Sequence, residues 1–162
     1  MRIIRKVIGT LLLITAILVT QIPVVQLSAT SSSDFQMDGS TLVKYIGTSS
    51  VVTIPDTVKA IGREAFAGND AITEVKMGKN VKVIEQGAFQ DCAYLSKVTL
   101  SDSVTTIGNG AFTNNVSLKS FHITKNVSKI GNGVFADCKL LSTLSIDKNN
   151  GSFLIDENAL YD

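Results

Sequence analysis

Tryptophan is absent, and the chain carries one histidine, two cysteines and two prolines among 162 residues. Aromatic residues make up only 6%, seven Phe and three Tyr, so aliphatic side chains must build most of any core. A single histidine leaves little material for histidine-based metal centres or catalytic triads. Two cysteines cannot form the multi-bridge framework of a small disulfide-stapled domain. No one sign of charge dominates either: 15 Lys and Arg face 14 Asp and Glu, a net +1 that excludes a polyanion-binding tail. At 44% hydrophobic and 18% charged the chain is not a disordered polar one, and its length suits one domain or a small array.

Only one long apolar stretch occurs, and it lies at the N-terminus. Arg2, Arg5 and Lys6 precede an uncharged segment from Val7 to Ser33, apolar from Val7 to Val19. A basic start, an apolar run and a small residue at the exit describe a secretory signal, here residues 1–29 with Leu27-Ser28-Ala29 before Thr30. The alternative is an uncleaved anchor, since a membrane helix needs about 20 residues; polar Gln21, Gln26 and Ser28 favour cleavage. Once the segment ending at Ala29 is set aside, its three basic side chains go with it, and 12 basic groups meet 14 acidic ones, a net −2. That acidic balance argues against nucleic acid as a partner.

The rest of the chain repeats. Phe66, Phe89, Phe112 and Phe135 recur at one fixed interval, which Ile61, Ile84, Ile107 and Ile130 share with Val58, Val81, Val104 and Val127. A small residue precedes each Phe: Ala65, Ala88, Ala111, Val134. Four full units follow, 52–74, 75–97, 98–120 and 121–143, with the start of a fifth at Leu144. Alternating apolar residues around Val98-Thr99-Leu100 suit a short strand with one buried face. The spacing of four and five from Ile107 to Ala111 and Phe112 suits a helical turn, with glycines where the backbone must bend. One such unit cannot bury its own apolar side, whereas stacked units share a continuous core. The expected fold is therefore a repeat solenoid of α/β class, with a parallel sheet on one face and short helical or 3-10 turns on the other. A parallel β-helix with three strands per coil is the competing architecture.

The pattern Leu95-x-x-Val98-x-Leu100, then Val104, Ile107, Ala111-Phe112 and Asn115, resembles the BspA-like class of leucine-rich repeat. The resemblance covers residues 51–146, and Asp38-Gly39-Ser40-Thr41-Leu42 to Tyr45 is similar to the lead-in that precedes such arrays. It implies a curved solenoid of bacterial and some protozoan surface proteins, several of which act as adhesins. Residues 30–50 then read as spacer and lead-in, and residues 147–162 as an incomplete hairpin-like segment that departs from the repeat, with no polar closing unit visible.

Alternate units resemble each other more than neighbours do. One column runs Asp56, Lys79, Asp102, Lys125, Lys148, and another Asn69, Cys92, Asn115, Cys138. Opposite charges on adjacent coils should pair weakly, at about 0–1 kcal/mol each. Cys92 and Cys138 are two coils apart, about 9–10 Å at strand spacing, beyond the reach of a disulfide. Two buried free thiols are expected, alternating with asparagines that bond the backbone of adjacent turns.

No phosphate loop, serine elbow, paired-carboxylate arrangement or metal-ligand spacing is present, so no enzyme, cofactor or metal is expected. His122 lies between Phe121 and Ile123 and so points outward, without an acid beside it. The glycine-rich Ile107-Gly108-Asn109-Gly110 recurs as Ile130-Gly131-Asn132-Gly133 and reads as a structural bend. The candidate protein-binding face is then the solvent side of the sheet, through Glu74, Lys76, Lys97, Thr99, Ser120, His122, Thr143 and Ser145. The next column, Gly78, Ser101, Thr124 and Asp147, is expected to face solvent with them. The face is hydroxyl-rich, of mixed charge and lacks aromatic anchors, so a partner is held by many units together. The resemblance implies a secreted or cell-surface scaffold of a bacterium that binds host or matrix proteins, with membrane contact only through an uncleaved N-terminus. A structural stalk displaying another domain is the alternative; a secreted β-helix hydrolase lacks the paired acids it needs.

Overall fold

A computed structural model describes residues 31–156 and 159–161; the N-terminal signal-like segment lies outside them. Among the described residues no helix is long and apolar enough to cross a membrane. Strands β1 (Phe35–Asp38) and β2 (Thr41–Tyr45) form a hairpin around Gly39, whose φ of 57° favours glycine. Short strands follow: β3 (Val51–Thr53), β4 (Ala60–Ile61), β5 (Glu74–Lys76), β6 (Val83–Ile84) and β7 (Lys97–Thr99), then β8 (Thr106–Ile107), β9 (Ser120–Ile123), β10 (Lys129–Ile130), β11 (Thr143–Ile146) and β12 (Leu154–Asp156). The last, β13 (Ala159–Tyr161), returns antiparallel to β12.

Each coil, one repeat long, contributes two strands. On the first face β3, β5 and β7 pair in parallel, with Val51, Glu74 and Lys97 in register. On the second, β2, β4, β6, β8 and β10 make a parallel sheet that β1 closes antiparallel at its N-terminal edge. Period-two alternation places Val52, Val75 and Phe121 inward, while Ile61, Ile84 and Ile107 enter the same core from the second face.

The helical or 3-10 turns expected opposite the first sheet are not found among the described residues; the sole 3-10 turn there, Ser32–Asp34, precedes the coils. The spacing from Ile107 to Phe112 marks a corner instead. Ile107 points inward from β8, the chain turns at Gly108, and Ala111 and Phe112 point inward from a third side made of β-turns. Left-handed residues recur twice per coil there, at Glu64, Gly87, Gly110 and Gly133 and again at Gly68, Asp91, Asn114 and Asp137, with φ between 54° and 67°. Such residues interrupt any α-helix. The amides freed by the turns donate outward to the next coil: Phe66 N–H to Ala88 O at 2.8 Å, Phe89 to Ala111 at 2.9 Å, Phe112 to Val134 at 3.0 Å.

Through the centre runs the expected file of phenylalanines. Ring centroids lie 4.6 Å apart from Phe66 to Phe89, 5.3 Å from Phe89 to Phe112 and 6.0 Å from Phe112 to Phe135, all stacked, and Tyr45 extends the file at 4.9 Å from Phe66. The widest step, from Phe112 to Phe135, has a cause. Phe121 occupies the inward column that Val52, Val75 and Val98 fill with smaller side chains, and its ring sits 5.0 Å from Phe112 and 4.8 Å from Phe135. At that coil the first-face sheet is interrupted: β9 pairs with β11 but not with β7. A ring wedged into a valine column parts the two strands on this face, while the same coils stay bonded on the other sides, as at Gly131 N–H to Ile107 O, 2.8 Å.

The superperiod is visible in the contacts. Lys79 Nζ lies 2.9 Å from Asp56 Oδ2 and Lys125 Nζ 2.8 Å from Asp102 Oδ2. Asn80 and Asn126 each donate to the carbonyl of the aspartate on the preceding coil, at 2.8 and 2.7 Å. No ion pair joins Lys79 to Asp102 among the described residues, so the pairing falls within each double unit. Cys92 and Cys138 are free and buried. Their thiols donate to Phe66 O and Phe112 O, both at 3.1 Å, and Asn115 Nδ2 donates to Phe89 O at 2.9 Å. Asn69 departs from this pattern, because its Oδ1 accepts from Ala71 and Ile72 N–H within its own turn.

Two outcomes test this packing. Phe112→Ala should destabilise the protein by about 3–5 kcal/mol in chemical denaturation, the cost of truncating a fully buried aromatic. Burial pushes the Cys92 thiol from 9.0 up to about 12. Between those values the unfolded thiol ionises and the native one does not, so the unfolded state binds fewer protons and stability falls as pH rises. The fall should approach about 1.4 kcal/mol per pH unit in this window, and Cys92→Ala should flatten it by that amount.

Candidate functional site

The first-face strands put the eight candidate residues on one surface because their side chains alternate with the buried Val and Phe column. Glu74 and Lys97 are direct strand partners, as are Lys76 and Thr99, Ser120 and Thr143, and His122 and Ser145. Lys76, Lys97, Thr99, Ser120, His122 and Thr143 are exposed; Glu74 and Ser145 are half-buried. The interruption between β7 and β9 divides them into a charged half on β5 and β7 and a hydroxyl and imidazole half on β9 and β11.

In the charged half, Glu74 Oε1 lies 3.0 Å from Lys97 Nζ and 3.7 Å from Lys76 Nζ. Contact with the Lys97 ammonium, reinforced by Lys76, holds the Glu74 carboxyl below its usual range. Two ammonium groups around one carboxylate leave this half with a net positive charge. In the other half His122 Nδ1 and Ser145 Oγ are hydrogen-bonded at 2.9 Å, so a hydroxyl, where no acid is at hand, orients the ring. No group of three or more His, Cys, Asp or Glu side chains is disposed to hold a metal ion among the described residues.

Strand alternation also directs the column Gly78, Ser101, Thr124 and Asp147 to solvent, but Gly78 and Thr124 are buried. At Gly78 the chain leaves the strand so close to the preceding coil that a Cβ would stand 2.6 Å from Ile54 O and Pro55 O. Thr124 Oγ1 is turned back to donate to Ser101 O at 3.3 Å. Ser101 and Asp147 are half-buried, so the third column reaches solvent only at alternate coils and the continuous accessible face is two columns wide.

A recess that the strand-and-helix reading does not anticipate opens on the second face. It encloses about 610 Å³ and is lined by Thr106, Asn109, Lys129, Ile130, Ser152 and Phe153 among others. Gly108 and Gly131 also line it, and it ends where Phe153, which stands one period after Ile130, lies buried over the last coil. The signal is present in the sequence as the column Ala60, Val83, Thr106, Lys129, whose neighbours Ile61 to Ile130 alternate with it as strand residues do. Its lining carries a single charge, that of Lys129, and no pair of groups suited to acid–base chemistry.

Residues 41–162 match, in six copies, the family described as the BspA type leucine rich repeat region. Among solved structures, the pneumococcal vaccine antigen PcpA is similar to this chain at 26% identity and a TM-score of 0.67; the match covers 71% of this chain and 29% of that one. A leucine-rich repeat protein from Bacteroides capillosus is 27% identical at a TM-score of 0.63, over 74% of this chain and 99% of that one. The leucine-rich repeat protein of T. pallidum shares the fold at 19% identity, with a TM-score of 0.56 over 73% of this chain and 85% of its own. No curated protein matches the chain.

Proposed function

Because the chain belongs to the BspA type leucine-rich repeat family, we propose that it is an exported, non-enzymatic scaffold that grips another protein at the cell exterior through the two-column face of β5, β7, β9 and β11. One observation carries this reading: eight polar side chains from four successive coils lie on one face of the solenoid, four on β5 and β7 and four on β9 and β11. Glu74, Lys76 and Lys97 supply charge, and Thr99, Ser120, His122, Thr143 and Ser145 supply donors and acceptors. Contacts of this kind are individually weak and add up when several coils engage one partner.

An acidic protein surface suits the charged half, since Lys76 and Lys97 outnumber Glu74 there. Likeness to a pneumococcal vaccine antigen supports an exterior location, although this chain spans 29% of that protein. The basic start and apolar run of residues 1–29 support export in the same direction. A bare structural stalk is the second reading, favoured by the lack of any exposed aromatic residue among the eight.

Two measurements separate these readings. Replacing Lys76, Lys97 and His122 together by alanine should reduce binding to immobilised extracellular matrix proteins at least tenfold while leaving the denaturation midpoint close to wild type; unchanged adhesion would favour the stalk. N-terminal sequencing of protein recovered from the culture medium should begin at Thr30, and a start at Met1 would contradict cleavage.

A further inference from the structure

Three Asn-Gly pairs occur in the chain, at Asn109-Gly110, Asn132-Gly133 and Asn150-Gly151. The dipeptide is chemically vulnerable because glycine has no Cβ to hinder its own nitrogen from attacking the preceding side-chain amide. Whether it reacts depends on what holds the amide and that nitrogen, and the fold treats the three pairs differently.

Asn109 is held on both sides. Its Oδ1 accepts Asn132 N–H at 2.9 Å, and Gly110 N–H donates to Asn132 O at 2.9 Å. The Asn150 amide is held by four bonds: Nδ2 donates to Thr124 O and Val127 O at 3.0 and 2.9 Å, and Oδ1 accepts from Ser152 and Phe153 N–H at 2.8 and 3.1 Å. Asn132 is exposed, and neither its side chain nor Gly133 N–H has a hydrogen-bond partner among the described residues. The reason lies one period further on. Stacking would bring Ile155 under Asn132, where its N–H and O would repeat the contacts that Asn132 makes to Asn109 and Gly110. Ile155 instead pairs with Leu160 in the hairpin of β12 and β13. One departure from the repeat thus frees both reacting groups at once.

We propose that Asn132 is a site of spontaneous deamidation. Solvent base takes the Gly133 amide proton; the nitrogen attacks Asn132 Cγ, the Cγ–Nδ2 bond breaks, and ammonia leaves. The resulting five-membered imide is opened by water, at Cγ to give aspartate or at the main-chain carbonyl to give isoaspartate. Either product places a new carboxylate at this corner, close in sequence to Lys129 at the rim of the second-face recess. Isoaspartate also lengthens the backbone at the carbonyl that holds Gly110 N–H, loosening the last complete coil against the one before it.

The full chain incubated at mildly alkaline pH and sampled by peptide mass mapping, with isoaspartyl methyltransferase labelling, tests this. Asn132 should convert on the order of tenfold faster than Asn109 or Asn150, the factor that two or so ordinary net hydrogen bonds amount to. The Asn132→Gln variant should lose the early acidic species. In concentrated urea the three sites should react at similar rates. Equal rates in the native protein, an unmodified Asn132, or a lead of Asn132 that persists unchanged in urea would each overturn the proposal.

Discussion

The structure depends on one constraint: each coil must lie on the previous one so that main-chain groups one period apart can bond. On the second face Glu85, Gly108 and Gly131 N–H reach Ile61, Ile84 and Ile107 O, at 2.7–2.9 Å. On the turn side the donors run the other way along the stack, from Phe66, Phe89 and Phe112 to the following coil. Backbone groups buried without partners would each be costly, so a period that failed to close these bonds could not persist. The phenylalanine file, the inward valines and the cysteine and asparagine column are consequences of that closure, because equivalent side chains then meet equivalent side chains. Each column has to choose residues that tolerate their own copy as a neighbour.

Charge shows how that choice was met. A column of like charges at coil spacing would repel along its length, whereas the doubled unit alternates aspartate with lysine and pairs Asp56 with Lys79 and Asp102 with Lys125. Hydrogen bonds from Lys79 hold the Asp56 carboxyl below its ordinary value, and contact with their aspartates raises Lys79 and Lys125. All of these groups are solvent-exposed, so their effect is on register more than on stability. A coil slipped by one residue would lose the pairs together with the buried face.

Much of this is legible in the sequence because a period sampled four times fixes which positions face inward. Phe66, Phe89, Phe112, the free thiols and the two outward columns all follow from register alone. The corner after the second sheet reads as a helical turn because the distance from Ile107 to Ala111 and Phe112 is the same for one turn of helix as for a corner. The distinguishing feature is local: Glu64, Gly87, Gly110 and Gly133 take positive φ, and only the glycines advertise it. Glu64 gives no such warning, and nor do Asp91 and Asp137. The burial of Thr124 escapes for a different reason, since alternation applies only while the strand lasts and β9 ends at Ile123.

Departures from the period matter as much as the period. Phe121 in a valine column opens the first sheet between β7 and β9, and so separates the charged half of the outward face from its hydroxyl and imidazole half. Asn150 in the valine column of Val58 to Val127 exchanges an apolar contact for four hydrogen bonds, and these turn the chain toward the hairpin. That turn carries Phe153 over Ile130 and walls one end of the recess, and it also withholds from Asn132 the residue that would have bonded it. A repeat protein gains its rigidity from sameness, and the positions where sameness fails are where its surface acquires shape, charge and reactivity.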